Sequence, residues 1–68
     1  LGEGKLKNVQ AWMKNNGFSD FNGTTFYSDS ILDMPLLQKV EKPVAVNPDD
    51  DLFRVSKDRG WEIIDLPI

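Results

Sequence analysis

The chain has 68 residues, no cysteine, no histidine and a formal net charge of −3. A chain this short buries only ~60% of the surface its unfolded form exposes, and no disulfide adds to that margin. Without histidine there is no Ser-His-Asp triad and no imidazole metal ligand; eight basic residues scattered among eleven acidic ones leave no basic stripe for nucleic acid, and no apolar run approaches the ~20 residues of a membrane span.

In chain order, Leu6, Val9, Trp12 and Met13 form an apolar stripe that predicts a helix over residues 5–16, with Lys7, Asn8, Gln10 and Lys14 on its wet face. Gly17 suits a left-handed helix stop, after which Phe18 folds back on the last turn. Asp20, Asn22 and Gly23 make a connector. Thr24–Tyr27 is β-branched and aromatic without polar alternation, the pattern of a strand covered on both faces. Asp33 stands where it would cap a second helix, with Pro35 in the first turn and Leu36, Leu37 and Val40 on the apolar face. Pro43 stops that helix, and Val44-Ala45-Val46 reads as a second buried strand.

Asn47-Pro48 turns the chain, with Asn47 bonding locally. Asp49-Asp50-Asp51 follow as the acidic start of a third helix. They lack the glycine and distal glutamate of a calcium loop. Leu52, Val55 and Ser56 face inward on that helix, Gly60 stops it, and Trp61–Ile64 is a third strand at a sheet edge. Trp12 and Trp61 read as core or helix-covering aromatics. The α-β-α-β-α-β order predicts an α/β unit with parallel strands and right-handed crossovers. Residues 1–68 form one unit or part of one. The first strand would keep an open edge unless a further strand, from upstream sequence or from a partner, paired with it.

The chemistry concentrates where the first strand ends. Asp29 and Asp33 lie four residues apart in Tyr27-Ser28-Asp29-Ser30-Ile31-Leu32-Asp33-Met34-Pro35. In open α/β sheets, ligands bind at the carboxyl ends of the strands. Two neighbouring carboxylates repel unless a proton or cation intervenes, and magnesium suits hard oxygen ligands beside phosphate. On spacing alone, Asp29 is also an ordinary turn residue, Asp33 a helix cap and Lys5 a solvated lysine.

Taken together, Gly4-Lys5, Tyr27-Ser28-Asp29-Ser30-x-x-Asp33-Met34-Pro35-Leu36-Leu37, Pro43-Val44-Ala45-Val46-Asn47-Pro48-Asp49 and Arg59-Gly60-Trp61 resemble the haloacid dehalogenase (HAD) superfamily. The match is to the carboxyl-terminal part of its phosphoserine-phosphatase-like branch. The resemblance implies the second half of a Rossmann-like fold, three parallel strands alternating with three helices. It implies that Lys5 neutralises the nucleophile and the transferring phosphoryl group, that Asp29 and Asp33 hold Mg2+ directly or through water, and that Ser30 contacts phosphate. The family's Asp-x-Asp-x-Thr segment, with its nucleophile, and its cap have no match in this sequence. Many relatives carry Gly where Ser28 stands and Asn where Leu32 stands; both aspartates are kept.

The expected function of the intact protein is therefore a magnesium-dependent phosphatase. It would act on a small phosphomonoester such as phosphoserine through an aspartyl-phosphate, with this partial domain supplying the lysine and metal motifs. A phosphotransferase on the same scaffold is a further possibility. The alternative of another class is a non-catalytic interaction or assembly module, or a relict, that self-associates through its open sheet edge. The expected partner is a small phosphorylated metabolite, with no nucleic acid and no membrane. Absent cysteines and the lack of an apparent targeting segment point to the cytoplasm.

Overall fold

The structure, a computed structural model, describes residues 2–67. Helix α1 (Gly2–Asn15) ends in a left-handed Gly17, with φ 82°. The Phe18 N–H reaches back to Met13 O (2.8 Å) and the Gly17 N–H to Lys14 O (3.4 Å), the paired bonds of a Schellman stop. Strand β1 (Thr25–Ser28) leads into a 3₁₀ turn, Ile31–Asp33, and a single helical turn α2 (Met34–Leu37). Then come β2 (Lys42–Val46), α3 (Asp50–Arg59) and β3 (Glu62–Ile64).

The three strands are parallel, in the order β1-β2-β3. This is the expected α/β half-Rossmann arrangement, three helices and three parallel strands in one open sheet. Register sets Ser28 beside Ala45 and Ala45 beside Ile63. Ala45, Leu37 of α2 and Leu52 of α3 form the core, and Phe26, Ile31, Met34, Trp61 and Ile63 pack around it. Leu36, Leu37, Val44, Ala45 and Leu52 are each at most 1% exposed. A core this small leaves the unit dependent on every large side chain in it.

Four expectations are corrected. The second helix does not reach Val40: it splits into a 3₁₀ turn and one α-turn. Pro35 has no N–H to carry a hydrogen-bond ladder through the junction. Past Gln38, whose N–H closes on Met34 O, the Lys39 N–H turns to Leu36 O in the tighter 3₁₀ pattern that ends many helices. The first strand is not covered on both faces, since Tyr27 is 61% exposed while Ser28 is buried. Trp12 is no core residue; it is exposed and stacks on Phe18, ring centroids 5.7 Å apart. Asn47, left-handed at φ 44°, does not bond locally. Its side chain brackets Leu66, accepting from the Leu66 N–H (2.7 Å) and donating to the Leu66 carbonyl (3.1 Å).

Candidate functional site

The end of β1, the turn behind it and the first turns of α1 meet at one place. Parallel pairing carries β1 and β2 in the same direction, so Ser28 and Val46 end at the same edge of the sheet, where backbone groups and loop side chains are left free. An open concavity of about 680 Å³ lies there, lined by Lys5, Phe26, Ser28, Asp29, Asp33 and Asn47 among others. A smaller one of about 240 Å³ adjoins it and shares Lys5, Asp29 and Asp33 with Ser30 and Leu32. Lys5, Asp29, Ser30 and Asp33, all singled out in the sequence, are thus brought together.

Asp33 is the hub. Its Oδ1 lies 2.8 Å from the Lys5 ammonium, and its Oδ2 accepts from the Ser28 hydroxyl at 2.5 Å. The Asp33 side chain is only 14% exposed, against 49% for Lys5, so the carboxylate end of the pair is held by the protein while the ammonium end stays half in water. The Lys5 ammonium also sits 5.8 Å from the centre of the Phe26 ring, which holds its stem over the sheet. Asp33 occupies the cap position of α2 but forms no capping bond; the expected cap is corrected, because Lys5 and Ser28 claim both of its oxygens. Ser30 caps the 3₁₀ turn instead, its Oγ accepting from the Leu32 N–H at 3.1 Å.

Burial pushes the Asp33 carboxyl up, but the hydrogen bonds from the Lys5 ammonium and the Ser28 hydroxyl, with the Lys5 charge, outweigh it. The group therefore lies below its ordinary range. A carboxyl depressed on folding contributes stability that is complete above its unfolded value of ~3.9 and is lost as pH falls from there through the lower folded value. Below about pH 4, the melting temperature of the native chain should therefore fall more steeply than that of Asp33→Asn. Parallel curves in an acid series of thermal melts would show that Asp33 carries no such linkage.

Asp29 follows β1 directly, exposed, and among the described residues its carboxylate accepts no hydrogen bond. No cluster of three or more metal-type side chains occurs among the described residues. The available set is therefore two carboxylates, Asp29 and Asp33. That set fits magnesium, which keeps several waters and takes one or two carboxylates plus phosphate oxygens.

Sequence reading missed Ser28, whose hydroxyl orients Asp33, and Asp49, which bonds the turn behind Asp29. A serine ending a strand just before a turn was the available signal for the first.

No family model matches the chain. A histidinol-phosphatase of Neisseria meningitidis serogroup C is 42% identical over 97% of this chain and 31% of its own length. Phosphoserine phosphatase SerB1 of Mycobacterium tuberculosis is 40% identical over 98% of this chain and 21% of its own. A crystal structure of a protein of unknown function from Bordetella pertussis Tohama I superposes with a TM-score of 0.86 at 42% identity, covering 94% of this chain and 30% of that one. The chain thus spans between a fifth and a third of the length of these relatives. Among the described residues no helix is long and apolar enough to cross a membrane. The chain is a homologue of a segment of proteins named as phosphatases and hydrolases, consistent with a fragment of a haloacid dehalogenase-like phosphatase.

Proposed function

We propose that the intact protein is a magnesium-dependent phosphatase of the haloacid dehalogenase type that acts on a small phosphomonoester. The observation that carries this reading is the Lys5 ammonium, 2.8 Å from Asp33, on a concavity shared with Asp29 at the carboxyl end of β1. Phosphoryl transfer asks a protein mainly for positioning and charge stabilisation. Lys5 supplies a point charge for the phosphoryl oxygens. Asp33 holds that ammonium in place, and Ser28 fixes the rotation of Asp33. Asp29 and Asp33 would hold Mg2+, which when bound adds Lewis-acid stabilisation of the phosphoryl oxygens.

In this reading the attacking carboxylate lies outside these 68 residues. It displaces the alcohol from phosphorus to give an aspartyl-phosphate, and water then releases inorganic phosphate. Relatives whose names point to histidinol phosphate and phosphoserine make both the first substrates to assay, and the cytoplasm is the expected compartment.

The test compares the intact protein with the isolated chain. With magnesium, the intact protein should release phosphate from phosphoserine, histidinol phosphate or p-nitrophenyl phosphate, and the isolated 68 residues should release none above buffer. Turnover by the isolated chain, or an intact protein inert to all three esters, refutes the reading. A second reading, an assembly module, draws on β1, which pairs on one side only among the described residues beside an exposed Tyr27. A chain that sediments as a dimer, is indifferent to magnesium and is unchanged by Asp29→Asn would favour it.

A further inference from the structure

Asp29 presents a problem of placement. Its carboxylate has no hydrogen bond of its own among the described residues, so its direction is set by the backbone that carries it. The backbone polar groups flanking that side chain are nevertheless pinned. The Ser30 N–H donates to Ser28 Oγ at 3.1 Å. The Asp29 carbonyl accepts from the Asp49 N–H at 2.9 Å. The Ile31 N–H donates to Asp49 Oδ2 at 3.0 Å. Two of these three anchors come from one residue, Asp49, which lies eighteen positions beyond Ile31.

Asp49 is also the cap of α3: its Oδ1 accepts from the Leu52 N–H at 2.8 Å. Its two carboxylate oxygens therefore do different work. One closes the first turn of a ten-residue helix, and the other reaches across to the turn after β1. Capping alone needs one oxygen, which serine or threonine supplies as well. The second oxygen is what an aspartate adds.

We propose that Asp49 is a positioning residue for this site: it ties the Asp29 turn to the start of α3 and so fixes where the Asp29 carboxylate points. The role rests on the magnesium–phosphate reading of the site, whereas the tie itself does not. Residues that orient a metal ligand from behind typically change metal affinity or activity by roughly 10–100-fold when removed.

Substitutions that keep the cap and cut the tie separate the two functions. In the intact protein, Asp49→Ser keeps a capping oxygen for Leu52 but is too short to serve Ile31 as well. Asp49→Ala loses both bonds. Asp49→Ala should lower Tm by a few degrees, and Asp49→Ser should restore most of that loss. Both variants should need roughly tenfold more magnesium for half-maximal phosphate release, and in both the Ile31 amide should exchange with solvent about tenfold faster. Asp49→Thr, another short cap, serves if the serine variant does not fold.

Wild-type magnesium requirement and wild-type Ile31 exchange in Asp49→Ser would reduce Asp49 to a helix cap and overturn the proposal. If the wild-type intact protein hydrolyses no phosphomonoester, the phosphatase reading fails on its own, and Ile31 exchange alone decides whether the tie exists.

Discussion

Asp29→Asn in the intact protein is expected to remove magnesium-dependent phosphate release, by roughly 10³-fold or more, while leaving the fold intact. The size follows from the chemistry proposed for the site. A hard cation held by two carboxylates loses half of its protein charge, and charge stabilisation by a bound metal is worth several kcal/mol in such reactions. The intact fold follows from the structure. The Asp29 side chain is exposed and accepts no hydrogen bond among the described residues, and the contact this residue makes with Asp49 runs through its backbone carbonyl. Asparagine preserves shape and backbone and removes the charge. Initial rates across a magnesium titration, with a thermal melt beside them, check both halves. Full activity with an unchanged magnesium requirement would mean that Asp29 is an ordinary turn residue.

The sequence exposed those features that depend on local rules. Gly60 ends α3 in a left-handed conformation at φ 71°, which its place after Arg59 announced. Val44-Ala45-Val46 lies in the central strand, which is paired on both edges. Pro43 enters β2 without breaking the ladder, for a reason of register. The Lys42 N–H faces β1, bonding Thr24 O, so the next residue faces the β3 side. Pairing with β3 begins only at Val44, and the missing proline donor costs nothing there.

What sequence reading could not reach were side chains with two possible partners. Asp33 had the position and chemistry of a cap, and only the approach of α1 brings Lys5 close enough to take it. Asn47 looked like a local turn former, yet it clamps Leu66, nineteen residues away. Asp49 was legible as helix-start acidity, and its second oxygen was not, because the turn it serves lies on another element. Trp12 fell on the apolar stripe of α1, yet its ring lies out on the surface against Phe18. The resemblance placed Lys5, Asp29 and Asp33 in one site; the structure adds how they are held there and leaves the metal to experiment.

Lys5→Met should separate the structural from the chemical use of the ammonium. Methionine keeps an unbranched stem to lie over Phe26, so the packing of α1 on the sheet edge is largely retained. The lost contact is the 2.8 Å bond to Asp33. Because Lys5 is 49% exposed, solvent screens much of that attraction, and the stability cost should be only about 1 kcal/mol or less. The catalytic cost should be far larger, roughly 10²–10³ in kcat of the intact protein, since an aimed donor matters most where charge develops in the transition state. Lys5→Arg sharpens the contrast. A guanidinium can still pair with Asp33, but its planar fork does not place charge where a compact ammonium does, so stability should return without activity. A thermal melt and a kcat for each variant decide the matter. If Lys5→Arg recovers both stability and turnover, charge alone is enough and the position of the ammonium is not the feature that counts; if Lys5→Met keeps full kcat, Lys5 is a surface ion pair and the phosphoryl group is neutralised by something outside this chain.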